Sequence, residues 1–433
     1  MRLDLPMPKA VPLILALTTL AASAHAEPRA WFRGLGTLHA SNPGSAAWGI
    51  SSDGKTVVGQ VVTDLGPQAF YWRAADGMVG IGDLPGGPFT SLASATNSDG
   101  TVIVGFGKSA ASGNNYEAFR WSAAQGFTPL GDLPGSDFMS QAYSVSADGN
   151  TVVGIGRSLA GFEAFRWTPA TGMVGMGGLP GPILSSSAQA VSPDGSIIVG
   201  YAWADVGYEA WRWTAATGLV SLGELPGGAH FGVANAMSSD GFVVAGQSSS
   251  ALSGNGGEAF RYEAPFGMQP LGDLPGGTYQ SVILASDAGG TVMVGQSDSD
   301  TGQVAVVWDS VNGLRRLQDV LQQSISGGDV GTLDGWTLTN ATAISADGKY
   351  MCGIGINPLG QTEAWAARMP RFCYPNCDGS TVPPVLGAGD IQCFLNAFAA
   401  GTPYANCDNS RFAPVLNVND FVCFMQKYST GCW

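Results

Sequence analysis

The stretch LGDLPGSDFMSQAYSVSADGNTVVGIGRSLAGFEAFRWTPATGM, Leu130 to Met173, is one copy of a repeated unit. Its landmarks are an LG-x-LPG turn, then S-x-DG, then VVG, then the word EAFRW at Glu163–Trp167. EAFRW also stands at Glu117–Trp121, with near copies QAFYW at Gln68–Trp72, EAWRW at Glu209–Trp213 and EAFRY at Glu258–Tyr262. Asp-Gly turns fall at Asp53, Asp99, Asp148, Asp194, Asp240 and Asp347, with a blurred copy over Asp287–Gly290, which makes seven units. The spacing is mostly 46 to 49 residues, with a longer gap before Asp347.

Each unit offers four strand-like segments. In the copies they read QAYSVS at Gln141–Ser146, TVVG at Thr151–Gly154, the EAFRW word, and GMVGIGDL at Gly77–Leu84. The Asp-Gly pair suits the tight turn between the first two, where glycine takes a positive φ. Four strands repeated every forty-odd residues predict a β-propeller. Along the third strand Glu163, Phe165 and Trp167 face one way, and Ala164 and Arg166 the other. A bulky face meeting a face with small Ala lets adjacent twisted sheets interlock. Burying each ring stabilises by roughly 2–3 kcal/mol, and the repeated Glu and Arg can pair within or between blades. The seventh unit ends at EAWAARMP (Glu363–Pro370) without a fourth strand, and the chain opens with an orphan one, AWFRGLGTL (Ala30–Leu38). The expectation over residues 27–370 is an all-β, seven-bladed propeller whose N-terminal strand closes the last blade and removes the exposed edges.

These motifs resemble the HAF-repeat family of bacterial extracellular proteins over most of residues 30–370. The resemblance implies a propeller and a secreted location, and no established chemistry. The S-x-DG turns are also similar to the Asp-box of sialidase propellers, itself a structural turn.

Residues 371–433 form a second region of two thirty-residue repeats, YPNCDGSTVPPVLGAGDIQCFLNAFAAG (Tyr374–Gly401) and YANCDNSRFAPVLNVNDFVCFMQKYSTG (Tyr404–Gly431). Each is a polar loop leading into a helix-like segment, such as Asp420–Tyr428, with an Asp at the helix start to cap free N–H groups. Oxygen side chains alternate at Asn406, Asp408 and Ser410 and return at Asn417 and Asp420, which is EF-hand-like calcium logic. The first repeat has Asn376, Asp378, Ser380 and Asp390, but Gly387 where the second has Asn417. This region resembles the dockerin family, in its cysteine-bearing variant ending in Gly-Cys. That implies a small helical, EF-hand-like module that binds calcium and a cohesin-like or other extracellular protein. The RFAPVL stretch makes the loop about three residues longer than the standard one. The alternative is a disulfide-held helical hairpin without metal. Six of the seven cysteines lie here. Cys377 and Cys393 repeat as Cys407 and Cys423, so each loop is expected to be tied to its own helix, adding on the order of 3 kcal/mol each. Cys373 and Cys432 bracket the module and would clasp its ends, leaving Cys352 free and buried in the last blade.

At the N-terminus Arg2 and Lys9 precede an apolar run from Val11 to Ala22, and Ala24-His25-Ala26 follows. This predicts a signal peptide over residues 1–26 and a secreted, extracellular or cell-surface protein without a transmembrane segment after cleavage. Charged residues are 12%, the formal net charge is −14 and no basic tract occurs, which argues against nucleic acid and anionic membranes as partners. No G-x-S-x-G, H-E-x-x-H or phosphate loop is found, and His39 and His230 are isolated. Trp203, Asp205, Tyr208, His230 and Phe231, in blade-connecting loops, are candidates for a propeller ligand site. No catalytic residue is assigned. The expected function is a non-catalytic propeller binding a glycan or protein, anchored through its C-terminal module. The alternative is a polysaccharide-degrading glycosidase or lyase carrying the same anchor.

Overall fold

The computed structural model describes residues 30–38, 43–135, 137–254, 256–324, 333–369, 386–401, 405, 407 and 416–430. The signal segment, Cys373, Cys377, Cys432 and the loop oxygens of Asn376, Asp378, Ser380, Asn406, Asp408 and Ser410 lie outside them.

Among the described residues, 28 strands and three helices make a mostly β, propeller-like fold. The strands pair antiparallel in groups of four. The third group is Ser140–Val145, Val152–Ser158, Gly161–Thr168 and Gly172–Gly175. Seven such groups occur, and a short parallel pairing of Gly161–Thr168 with Leu184–Val191 joins the third and fourth into one sheet. The seventh group takes its outer strand from the other end of the chain: Trp31–Gly34 pairs with Thr362–Arg368, Trp31 opposite Arg368. The first strand of each group touches that of the next, and Thr337–Ile344 touches Ser45–Ile50, so the first strands form a closed inner ring. Turn amides repeat the closure. Ser239 N donates to Ala288 O at 2.9 Å, Ala288 N to Ala346 O at 3.0 Å, and Ala346 N to Ser52 O at 3.0 Å. Pro193 accepts from Ala147 N at 2.9 Å but has no N–H to pass on.

The EAFRW word builds the joints between groups. Phe165 is fully buried against Val102, Val104 and Ala118 of the preceding group. Ala164, on the opposite face, meets Ile198 and Trp211 of the following group. The same large-into-small contact joins Phe119 to Ala69, Phe260 to Ala210 and, across the ends of the array, Phe70 to Ala364. Among the described residues the repeated Glu and Arg of the word form no ion pair with each other, and Arg261 pairs instead with Glu263. The word's Glu and Arg stand three residues apart on a strand, so they leave on opposite faces.

A second rule is written in VVG. In every group the innermost strand carries a β-bulge at the same level, between Ala142 and Ser144 in the third and between Ala234 and Ala236 in the fifth. The bulge drives a carbonyl toward the glycine of the next strand. A Cβ on Gly154 would lie 1.9 Å from Gln141 O, and one on Gly246 1.9 Å from Val233 O. Only glycine permits that approach.

Two features depart from the sequence reading. The long gap before Asp347 contains a helix, Leu317–Ser324, whose Leu317 and Leu321 are fully buried beside Phe32 and Trp365. The blurred turn keeps its place, Gly290 N donating to Asp287 O as Gly54 N does to Ser51 O, but its aspartate stands two residues early. Asp287 accepts from Val292 N at 3.1 Å, the bond that Ser51 Oγ accepts from Thr56 N in the first group, so Asp287 stands in the serine's place. Burial holds its carboxyl above the usual range, against hydrogen bonds from Thr291 and Val292.

At the C-terminal end, helices Ala388–Ala399 and Val418–Thr430 pack through repeat-equivalent residues. Phe394 stacks on Phe424 at 4.2 Å, both fully buried. Val311, in a hairpin of the sixth group, packs against this cluster.

Candidate functional site

The repeated charges are spent on the frame. The turn aspartates accept from the preceding serine: Ser146 Oγ donates to Asp148 at 2.5 Å and Ser192 Oγ to Asp194 at 2.6 Å. With the Ser196 N–H, the Ser192 hydroxyl pulls the Asp194 carboxyl down to about 2. The EAFRW glutamates tie their strand to linker and loop groups on its own sheet. Glu163 accepts from Gly177 N at 2.9 Å, Glu363 from Gly36 N at 2.8 Å, and buried Glu258 from the Tyr279 hydroxyl at 2.8 Å. Arginines reach forward to the next group's turn, Arg120 to Gly149 O at 2.9 Å and Arg212 to Gly241 O at 3.0 Å. In the first group Tyr71 holds the arginine's position, and Arg73 reaches Gly100 O at 2.8 Å.

Other positions change from group to group on an unchanging backbone. The bulged residues include Tyr143, Gln189, Asn235 and Thr342. On the neighbouring strand the residue after the close-approach glycine also varies: Gln60, Phe106, Ile155, Tyr201, Gln247, Gln296 and Ile354 in turn. All seven of these are half-buried within otherwise buried strand runs. The frame does not dictate their chemistry. Sequence reasoning passed over them because they are what the repeat does not repeat.

Of the loop candidates, the structure gathers Trp203, Tyr208 and Phe231. Trp203 meets Tyr208 edge-on at 5.1 Å, and Tyr208 bridges Phe231 through the backbone. Tyr201, not singled out before, meets Tyr208 edge-on at 5.4 Å. His230 takes a positive φ of 51° and holds Nδ1 3.3 Å from Glu224 Oε1. Asp205 is exposed in the hairpin between Trp203 and Tyr208, which themselves end one strand and begin the next.

In the C-terminal module Cys407 and Cys423 are joined by a disulfide, and Cys393 is also disulfide-bonded. Cys352 is free and buried in the last group, its thiol pushed up to about 12 by burial. Asp390 and Asp420 are fully buried in the first turns of the two helices. They accept from Gly387 N at 2.7 Å and Asn417 N at 2.8 Å. A buried carboxylate at this point of each repeat fits an oxygen donor for a hard cation. Asn417 is the poorer donor, because its amide oxygen accepts from Asn419 N at 2.9 Å. Among the described residues no three His, Cys, Asp or Glu side chains gather as a metal group, and no helix is long and apolar enough to cross a membrane.

No protein-family description and no curated protein matches the chain. Solved structures are similar to it, these three among them. TolB from Acinetobacter baumannii is 11% identical with a TM-score of 0.42, over 59% of this chain and 61% of that one. A putative TolB from Agrobacterium tumefaciens is 14% identical at 0.36, over 76% and 90%. A chain of the mitotic checkpoint complex is 13% identical at 0.43, over 84% and 98%. The chain spans about three-fifths of the first TolB chain, and at these values the likeness assigns no activity, ligand or partner.

Proposed function

We propose that this protein is a secreted seven-bladed β-propeller without catalytic activity. It binds a glycan or protein, and a calcium-stabilised, dockerin-like module anchors it to an extracellular partner. One observation carries the non-catalytic reading: the repeated carboxylates bind backbone amides and hydroxyls of the frame. Acid–base chemistry needs two carboxyls turned toward one substrate. Support for export comes from the charged, apolar and Ala-His-Ala succession at the N-terminus and from a disulfide. Support for the anchor comes from the duplicated helices with a buried aspartate at each start. In the module Asp390 and Asp420 would hold calcium together with the loop oxygens, and the ion would stiffen the loop against its helix.

The test is calcium calorimetry on the mature chain with disulfides formed, followed by pull-down from the host's extracellular fraction with calcium or chelator. Binding of one or two ions, lost in an Asp390→Ala/Asp420→Ala double variant, and a calcium-dependent partner are expected. No calcium heat would sink the anchoring mechanism. Release of reducing ends or unsaturated sugars from a polysaccharide panel would replace the non-catalytic reading with the glycosidase or lyase one.

A further inference from the structure

The geometry points to a binding site for a neutral oligosaccharide on the inner ring, between an aromatic arc on groups two to four and an amide arc on groups five to seven. This rests on the reading of the propeller as a binding module and names its ligand class.

The repeat leaves two sets of inner-strand positions variable. In every group the residue after the close-approach glycine pairs with the residue two places before the bulged one, so the two sets lie at neighbouring levels of the inner strands. None of these fourteen positions holds a charged side chain. Chance placement of aromatics would scatter them, but they collect. Phe106 meets Tyr143 at 6.5 Å, and Tyr201 and Trp203 both pack edge-on against Tyr208. The edge contacts hold the rings in fixed planes. Their hydroxyls stay protonated: burial pushes the Tyr143 phenol far above its usual range and raises that of Tyr201. Tyr143 donates to Gln141 Oε1 at 2.6 Å, and Gln189 Nε2 donates to Ser187 Oγ at 2.8 Å, so neutral donors and acceptors stand beside the rings.

Across the ring the chemistry changes to primary amides. Gln296 Oε1 accepts from Asn340 Nδ2 and from Gln303 Nε2, and the Gln296 amide nitrogen has no protein acceptor among the described residues. Asn235 Nδ2 donates to Ile283 O at 3.0 Å, which fixes that amide. Aromatic faces take the C–H faces of pyranose rings, and amides take pairs of neighbouring hydroxyls. A polyanionic saccharide would find no cation at these fourteen positions and a net charge of −14 around them. A cationic ligand would find no carboxylate there.

The repeat supplies its own control substitutions. Tyr201→Gln places the residue found at the same position in groups one, five and six, and Gln296→Ile the one found in groups three and seven. Both suit the backbone. Mature full-length protein would be titrated by calorimetry with cellohexaose, xylohexaose, mannohexaose and, as the charged probe, hexagalacturonate. The expected result is saturable binding of at least one neutral hexaose, weakened tenfold or more by Tyr201→Gln and at least threefold by Gln296→Ile, with unchanged melting. Neutral binding that survives both substitutions overturns this site while leaving a glycan-binding propeller standing. Binding of hexagalacturonate alone overturns the ligand class. No binding to any of the four overturns the proposal and leaves a protein as the propeller's ligand.

Discussion

Gly154→Ala isolates the rule that couples the inner bulge to the glycine beside it. The added methyl would sit 1.9 Å from Gln141 O and 3.0 Å from the Ala142 Cα, both backbone atoms that cannot swing aside. Reaching even a tight contact requires the two strands to part by about 1 Å. That weakens the hydrogen bonds flanking the bulge, about 1 kcal/mol each for two bonds, and adds an overpacking cost of about 2 kcal/mol. The lower entropy of the unfolded alanine chain returns less than about 1 kcal/mol. The net loss is about 3 kcal/mol, or ~5 °C in a chain of this size. The assay is guanidinium and thermal unfolding followed by tryptophan fluorescence, with Gly172→Ala beside it. Gly172 has φ 65° and nothing within 4 Å of a built Cβ, so its alanine meets only the left-handed penalty of about 1 kcal/mol. If Gly154→Ala unfolds within about 0.5 kcal/mol of the parent, or no lower than Gly172→Ala, the close-approach reasoning is wrong.

Three further outcomes follow from the same frame. Phe32→Ala should cost about 3–5 kcal/mol in denaturant unfolding, because Phe32 is fully buried and meets Trp336 edge-on at 5.1 Å; parental stability would mean that the first strand does not complete the last sheet in solution. Asp287→Asn should raise stability at pH 7, since burial raises that carboxyl's folded pKa and its charged form is penalised in the fold. Asn97 Oδ1 already accepts the equivalent bond, from Val102 N at 2.9 Å. The gain should fade as pH falls through the raised value toward 3.8 and below, so a gain that persisted at pH 3 would refute the charge as its cause. Replacing Cys407 and Cys423 by Ala should remove about 3 kcal/mol from the C-terminal helices, read by hydrogen exchange at Phe394 and Phe424; unchanged protection there would show that the bridge constrains nothing.

The strand order was legible because each strand is spelled by a short word and each turn by Asp-Gly. The large-into-small joints were legible too, since alternation along EAFRW assigns faces without coordinates. What escaped depends on register between strands. The reason for glycine in VVG lies in a bulge on another strand, and the destinations of Glu163 and Arg120 lie in a linker and in a neighbouring turn. Asp287 was misaligned because an acidic residue in the serine's place looks, in one dimension, like a shifted Asp-Gly. Leu317–Ser324 was hidden because a two-turn helix with only two buried leucines leaves little periodicity to detect. The variable levels of the inner strands were invisible for a different reason: a search for sameness passes over the positions where function is free to differ.

The pairing of Trp31–Gly34 with Thr362–Arg368 also sets an order in time. Synthesis delivers the first strand before any partner for it exists. The bond from Gly36 N to Glu363 spans 327 residues, and bringing such distant ends together costs on the order of 5 kcal/mol of chain entropy. That cost is met only when the last sheet is ready to receive the strand and bury Phe32. A chain cut short before Thr362 carries its opening strand with nowhere to put it, and offers a bare sheet edge to its neighbours. The joint therefore tests whether synthesis has passed Arg368.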